Sequence, residues 1–254
     1  MHRDDSEREL AESRKRRKCW AEHVGGCCTE ISREHLISKS LLPKTTVLVE
    51  GFDWCRQPVS IGRDRLVSKV LCRTHNSLLE PADRAIASFV SIANEPLTDV
   101  VVSGRWLERW FIKTLVNISI GTNDHIGEGM AGSVRGWPPP YLAQVTFGSL
   151  SLTHRMGLYI LNCEEPYKYR QGEILCIPLA RDHRIGGALF GIGGVYLFLS
   201  LNPGAQVTNL AAMAPHASFS EHLRSASMTY RPDWVNFAHK DGSSARFSID
   251  WSSL

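Results

Sequence analysis

Zinc-type ligands are concentrated in the first third of the chain. Of the cysteines and histidines from position 19 to position 75, five are candidate ligands of one ion: Cys19, Cys27, Cys28, Cys72 and His75. Thiolate sulfur and imidazole nitrogen are the usual ligands of structural zinc, and two ligands separated by two residues at the start of a helix can point at one ion. Cys72 and His75 have that spacing. The sequence therefore predicts one structural Zn²⁺ held by four of these five side chains.

The upstream half of this set offers two adjacent cysteines for one ligand position. Gly25 and Gly26 come directly before Cys27, and glycine lets the backbone turn tightly enough for the next sulfur to face inward. We therefore favour Cys27 over Cys28. The competing interpretation is that all these cysteines are reduced and buried, and that His75 lies on a helix surface.

A second group of residues has the types needed to hydrolyse a phosphodiester. Glu34 and His35 are adjacent, and Asn76 directly follows the predicted ligand His75. A neutral histidine can take a proton from water near pH 7. Carboxylate and amide oxygens suit a hard cation such as Mg²⁺ or Mn²⁺, which binds a phosphate oxygen. We therefore predict that His35 is a general base and that Glu34 and Asn76 hold a catalytic cation.

The two groups together form a pattern that is found in a known family. The segments concerned are Glu34-His35-Leu36-Ile37-Ser38-Lys39-Ser40 and Cys72-Arg73-Thr74-His75-Asn76. They resemble the HNH endonucleases, and the resemblance covers about residues 19–89. It implies a ββα-metal fold closed by zinc, in which Glu34 and His35 end a strand and Asn76 begins a helix.

Two positions differ from the family's usual pattern. Ser38 stands where the family commonly has a proline, and no middle asparagine precedes Cys72. The residue that would orient His35 is therefore unassigned by the resemblance. A backbone carbonyl or another side chain would have to take that role.

Composition and cysteine usage bound the cellular setting. The chain has 254 residues, a net charge of +3 and seven cysteines. An odd cysteine count and the lack of an apolar leader argue against a secreted disulfide framework. No run approaches the roughly 20 apolar residues of a membrane span. We expect a cytoplasmic protein with no membrane partner.

Positive charge is concentrated immediately before Cys19. Five consecutive cations stand there: Arg14, Lys15, Arg16, Arg17 and Lys18. They end a charged arm, residues 1–18, that has almost no apolar residue to bury. Such a run can neutralise nucleic-acid phosphates, and it can equally be a solvated terminus.

Hydrophobic spacing predicts helices and then strands. Apolar residues at helical spacing predict one helix from Asn76 to about residue 93 and a second after an N-cap at Ser103. Apolar or alternating runs predict strands at 142–152, 157–161, 174–179, 188–201 and 245–251. Residues 41–65 read as an insertion that adds a strand pair or a DNA-facing flap. The glycine- and proline-rich residues 121–140 are the predicted domain boundary.

The sequence thus predicts an α+β fold: an N-terminal ββα-metal, treble-clef-like HNH unit, then helices, then a C-terminal β-rich domain. The expected units are the basic arm 1–18, a nuclease domain 19–120 and a β-rich domain 141–254 of unassigned role, where a homo-oligomer contact could form. The expected function is Mg²⁺- or Mn²⁺-dependent cleavage of double-stranded DNA, in bacterial or phage defence. The alternatives are a non-catalytic zinc knuckle that binds nucleic acid, and a protein whose active part is the C-terminal half.

Overall fold

The computed structural model describes residues 19–38, 46–49, 57, 59–62, 66–94, 100–127, 129–153, 155–162, 174–181, 183–192, 194–202, 226–238 and 244–252. Within these ranges the chain has a mixed α+β fold with the Cys/His residues near its start and most of its strands after residue 156. The predicted α+β class is confirmed at this level.

The elements of the described ranges are as follows. The helices are a 3₁₀ turn (Glu22–Val24), α1 (Arg73–Leu78), α2 (Glu80–Asn94), α3 (Gly104–Thr122) and α4 (Pro140–Thr146). The strands are β1 (Glu34–His35), β2 (Thr46–Val49), β3 (Val59–Gly62), β4 (Val67–Ser68), β5 (Val100–Ser103), β6 (His125–Ile126), β7 (Gly157–Asn162), β8 (Ile174–Arg181), β9 (Arg184–Ile192), β10 (Val195–Ser200), β11 (Ser227–Tyr230), β12 (Trp234–Ala238) and β13 (Ser244–Asp250).

The N-terminal unit is a short strand pair followed by helices. Strands β1 and β4 are antiparallel, with Glu34 opposite Ser68 and His35 opposite Val67. Cys72 is the N-cap of α1, and α2 follows after Leu79. The predicted single helix to about residue 93 is therefore two helices, because the chain turns at Leu79 before it continues.

Helix α3 lies at the centre of the molecule. Residues 107–119 are all buried, as expected for a helix that is enclosed by other elements on every side. Phe111 packs against Phe190 of β9 with ring centroids 4.7 Å apart. On the N-terminal side, the Trp20 indole nitrogen donates a hydrogen bond to Asn117 Oδ1 at 3.0 Å. The helix thus joins the N-terminal unit to the sheet.

Two sheets fill the rest of the described chain. In the larger one, eight described strands include the path β11-β7-β10-β9-β8-β2-β3, and β6 pairs with β9. The smaller one has the order β12-β13-β5. Strands β9 and β10 are buried along almost their whole length, which fits their apolar composition because a covered sheet has no polar face.

Strands from both sides of the predicted boundary share these sheets. The hairpin β2–β3 comes from the insertion at 41–65, and β2 pairs in parallel with β8. Likewise β5 pairs in parallel with β13. One apolar core includes Trp20 near the start and Ile249 near the end. The strand pair expected in the insertion is therefore present, and its partner is the β-rich part of the chain.

The prediction of a strand at residues 142–152 is wrong. That segment contains α4 and turns. Pro140 is the first residue of the helix, a position where its fixed φ is favourable and its missing N–H costs nothing. The buried residues Leu142, Ala143, Val145 and Thr146 follow helical spacing over this short span. Strands β11 and β12 were not predicted.

Among the described residues, no helix is long and apolar enough to cross a membrane.

Candidate metal centre and adjoining site

The first two metal-type ligands come from a tight turn. Cys19 is followed by the 3₁₀ turn, which Gly25 ends by donating its backbone N–H to the Glu22 carbonyl at 3.1 Å. Gly25 and Gly26 have φ of 85° and 74°, a region that residues with a Cβ rarely adopt. Cys27 follows directly after these two glycines. This confirms the expected role of the two glycines.

The other two ligands come from the start of α1. Cys72 makes an isolated antiparallel bridge with Ile31, and the Arg73 N–H donates to the Glu30 carbonyl at 2.9 Å. These backbone bonds place the first turn of α1 beside the chain that leaves the glycine turn. Cys72 and His75, three positions apart, consequently face Cys19 and Cys27.

The four ligand atoms form one compact group. Nδ1 of His75 lies 3.4 Å from Cys19 Sγ, 3.4 Å from Cys27 Sγ and 3.2 Å from Cys72 Sγ. All four atoms lie within 4.8 Å of one another. A tetrahedral zinc with bonds of about 2.3 Å to sulfur and 2.0 Å to nitrogen has edges of about 3.5–3.8 Å. The donor set and its spacing therefore fit a structural zinc.

Cys28 is not a member of this group. Its Sγ lies 3.5 Å from the Glu30 carbonyl, and hydrogen bonds from Thr74 lower the pKa of its thiol to about 7. Of the two adjacent cysteines, the structure thus brings Cys27 to the ligand position, as the glycine turn predicted.

Burial opposes ionisation of the ligands. Burial raises the pKa of the Cys19 thiol, and burial together with a hydrogen bond that Cys27 donates to Cys19 raises the pKa of Cys27 to about 12. Burial lowers the pKa of His75, and a hydrogen bond to the Gly25 backbone partly offsets this. Metal binding must therefore displace thiol protons, so affinity for a metal falls as the pH falls.

Aromatic side chains support the ligand set. The Phe147 ring, just after α4, lies edge-on to the His75 imidazole with centroids 4.9 Å apart. The same ring contacts Trp20 at 5.7 Å. A histidine ligand fixed by a backbone hydrogen bond and by a neighbouring ring loses little orientation freedom when it binds a metal.

A buried network of polar side chains lies next to the strand pair. Lys113 of α3 is 1% exposed, and its Nζ lies 2.7 Å from Glu34 Oε1 and 3.1 Å from Asp83 Oδ2. Ser38 donates to Asp83, and the Trp110 indole nitrogen donates to Ser38 Oγ at 2.7 Å. Asp83 of α2 thus accepts from Lys113 with both carboxylate oxygens.

This pairing bears on the predicted role of Glu34. Its side chain is 8% exposed and one carboxylate oxygen contacts Lys113. Among the described residues the other oxygen has no hydrogen bond. That oxygen is what Glu34 could offer to a cation.

His35 and Asn76 are both half-buried. His35 follows Glu34 on β1, and successive strand residues point to opposite faces, so the two side chains diverge. In the described part of the chain, neither the His35 nor the Asn76 side chain makes a hydrogen bond. The predicted roles of Glu34, His35 and Asn76 stay predictions. The cations Arg14 to Lys18 lie outside the described residues.

The sequence interpretation missed Lys113 and the hydrogen bond from Trp110 to Ser38. A signal was present, because Lys113 is three residues after Trp110 and so lies on the apolar face that predicts α3. A lysine on such a face is buried only when it is paired.

Comparison of the chain with protein-family models, curated proteins and solved structures gives no match.

Proposed function

We propose that this protein is a metal-dependent endonuclease that hydrolyses phosphodiester bonds of double-stranded DNA, with an HNH-type site. The observation that supports it is a strand–strand–helix unit, β1–β4–α1, whose helix start is tied to the glycine turn by the Cys19, Cys27, Cys72 and His75 group. His35 lies at the end of the first strand of that unit.

In this proposal the four-residue group binds structural Zn²⁺. Four protein ligands fill a tetrahedral shell, which leaves no position for water or substrate. The zinc therefore holds α1 against the glycine turn and takes no part in the chemistry. This sets the position of Asn76, since it directly follows the ligand His75.

His35 takes the proton from the attacking water. The water oxygen bonds to phosphorus, the bond from phosphorus to the 3′ oxygen breaks, and the leaving oxygen gains a proton from solvent. Asn76 and the second carboxylate oxygen of Glu34 would hold Mg²⁺ or Mn²⁺, which supplies positive charge to the phosphate oxygens. Lys113 holds the first Glu34 oxygen and thereby fixes the direction of the second.

The remaining parts serve binding. The arm with Arg14 to Lys18 would contact phosphates on either side of the cut, in any sequence. The β-rich part would recognise the target or join two copies of the chain, as would suit a defence nuclease acting in the cytoplasm.

A second candidate is a non-catalytic zinc knuckle that binds nucleic acid. It is favoured by the Glu34–Lys113 pair, because a carboxylate that is 8% exposed and already bound to an ammonium has less need of a metal. The two candidates differ in one measurable respect, since the second binds DNA without cutting it.

The test is supercoiled plasmid incubated with Mg²⁺, using wild type and His35→Ala. We expect cleavage by the wild type and a fall of about 10²- to 10⁴-fold in His35→Ala, the range for loss of a positioned base. Zinc content and DNA affinity should not change. His23→Ala is the matched control, because His23 lies exposed on the 3₁₀ turn, and it should cut at the wild-type rate.

Asn76→Ala separates base loss from cation loss. Its cleavage should recover in part when Mg²⁺ is raised or Mn²⁺ is supplied, whereas that of His35→Ala should not. DNA binding without cleavage by the zinc-loaded wild type would establish the second candidate. A folded His35→Ala protein that cuts at the wild-type rate would place the chemistry elsewhere in the chain.

A further inference from the structure

A second site is formed by the first turns of α3. Its cavity of about 320 Å³, part of it open to solvent, is lined by Arg105, Glu108 and Arg109 of α3, by Leu150 to Leu152 after α4, and by Arg231 before β12. None of the predicted zinc ligands or catalytic residues lines it.

One of its three arginines is already neutralised. Arg231 donates from Nε to Glu108 Oε1 and from a terminal nitrogen to Glu108 Oε2, both at 2.9 Å. The Leu158 N–H also donates to Glu108 Oε1, at 3.0 Å. Glu108 therefore uses both oxygens on these partners, and its charge balances that of Arg231.

Arg109 has no such partner. It is 8% exposed, and within the described residues its guanidinium makes neither a hydrogen bond nor an ion pair. It stacks on the Trp106 ring at 4.4 Å, and a side chain at Gly148 would collide with it. A buried cation without an anion is costly, and such groups are normally paired or bound to a ligand.

Arg105 adds a second uncompensated charge. It lies in the first turn of α3, which contains no acidic residue, and the helix dipole disfavours a cation there. Its Nε lies 3.5 Å from the Trp251 carbonyl, a long contact for a hydrogen bond. Burial and the neighbouring Arg105 both lower the pKa of Arg109, and the nearby Glu108 carboxylate offsets them only in part, which is consistent with two cations that repel one another.

We propose that this cavity binds a small molecule carrying a phosphate group, held by Arg105 and Arg109. Two uncompensated guanidinium groups match the charge of about −2 on a phosphate monoester near neutral pH. Guanidinium groups also bind phosphate oxygens in a bidentate manner. Val145, Leu150 and Leu152 on the wall supply apolar surface for an attached organic group. The site is independent of the proposed endonuclease chemistry.

The experiment is calorimetric titration of the full chain with inorganic phosphate and, separately, adenosine 5′-monophosphate, at constant ionic strength. We expect both to bind the wild type and Arg109→Met to weaken each by at least tenfold. Tighter binding of the nucleotide would assign an organic phosphate as the ligand, and tighter inorganic phosphate would assign the free ion. Absence of binding by the wild type, or equal affinity in Arg109→Met, would overturn the proposal.

Two control variants and one further test variant keep the result specific. Arg84→Met removes an exposed arginine that pairs with Glu80 on α2, and it should bind phosphate like the wild type. Asn76→Ala, which removes a ligand of the proposed catalytic cation, should also bind phosphate normally when no Mg²⁺ or Mn²⁺ is added, and this excludes the proposed catalytic site as the source of the signal. Arg105→Gln, at a half-buried position, gives a second test if Arg109→Met does not fold, and it should weaken binding by at least tenfold.

Discussion

The strand pair β1–β4 and the sheet around β9–β10 are stabilised in different ways. The pair contains two residues per strand, too few to be stable by backbone bonds alone, and four side-chain ligand atoms hold the adjoining turns together. Strands β9 and β10 pair over six positions and bury apolar side chains along almost their whole length. The first region should therefore depend on a metal, and the second on the burial of apolar surface.

The largest effect should come from removing one ligand. Cys72→Ser should lose zinc and unfold the N-terminal unit, because structural zinc supplies on the order of 10 kcal/mol of folding free energy. Backbone amides of β9 and β10 should keep most of their protection from hydrogen exchange. Metal analysis and exchange mass spectrometry measure the two outcomes.

The matched control is another buried cysteine. Cys176 lies in β8, where burial alone raises the pKa of its thiol to about 12. Cys176→Ser should keep the zinc and cost about 1–3 kcal/mol, the price of burying a hydroxyl. If folded wild-type protein holds no zinc, the comparison between the two regions fails.

A smaller effect should come from the ion pair that joins α3 to β1. Lys113→Met leaves Glu34 and Asp83 without their cation, and breaking a buried pair costs about 3–5 kcal/mol. Urea unfolding would measure this loss. Arg84→Met breaks the exposed pair with Glu80 and should cost less than about 1 kcal/mol. If the two variants lose the same free energy of unfolding, burial does not make the Lys113 pair more stabilising than the exposed Arg84 pair.

The contrast also explains what could be predicted from sequence. Zinc ligands follow rules of residue type and local spacing, so Cys19, Cys27, Cys72 and His75 could be grouped without a structure. Helix α3 was predicted by its apolar periodicity. The partner of β2 was not, because β8 lies more than 120 residues later in the chain and strand spacing carries no information about which strand will pair.

The polar network was missed for a related reason. Glu34 and Asp83 are ordinary acidic residues in sequence, and only the approach of α3 shows that both meet Lys113. The segment 142–152 was misread because a short apolar run fits a strand and a helix equally well. Pro140 at its start was the available signal for a helix.

The smallest effect should come from the basic arm beside the Cys/His group. If Arg14 to Lys18 contact phosphates, replacing all five with alanine should weaken DNA binding equally for all sequences. The slope of log affinity against log salt should fall by up to about 0.9 per lost contact. Arg246→Ala, at an exposed position on β13, is the control for a cation on the β-rich side. If the arm variant and the wild type have the same slope of log affinity against log salt, the arm does not contact phosphates and is a solvated terminus.

The parallel pairing of β2 with β8 has a consequence for the order of folding during synthesis. The four candidate ligands are complete once His75 has left the ribosome, so a metal held by them would bind early in translation. Strand β2 lies between those ligands in sequence, yet its neighbour β8 begins only at Ile174. The hairpin β2–β3 must therefore wait, with one strand edge uncovered, while about 100 further residues are made. A nascent chain in this state is exposed to aggregation, and early closure of the metal site would hold the two ends of the waiting segment together.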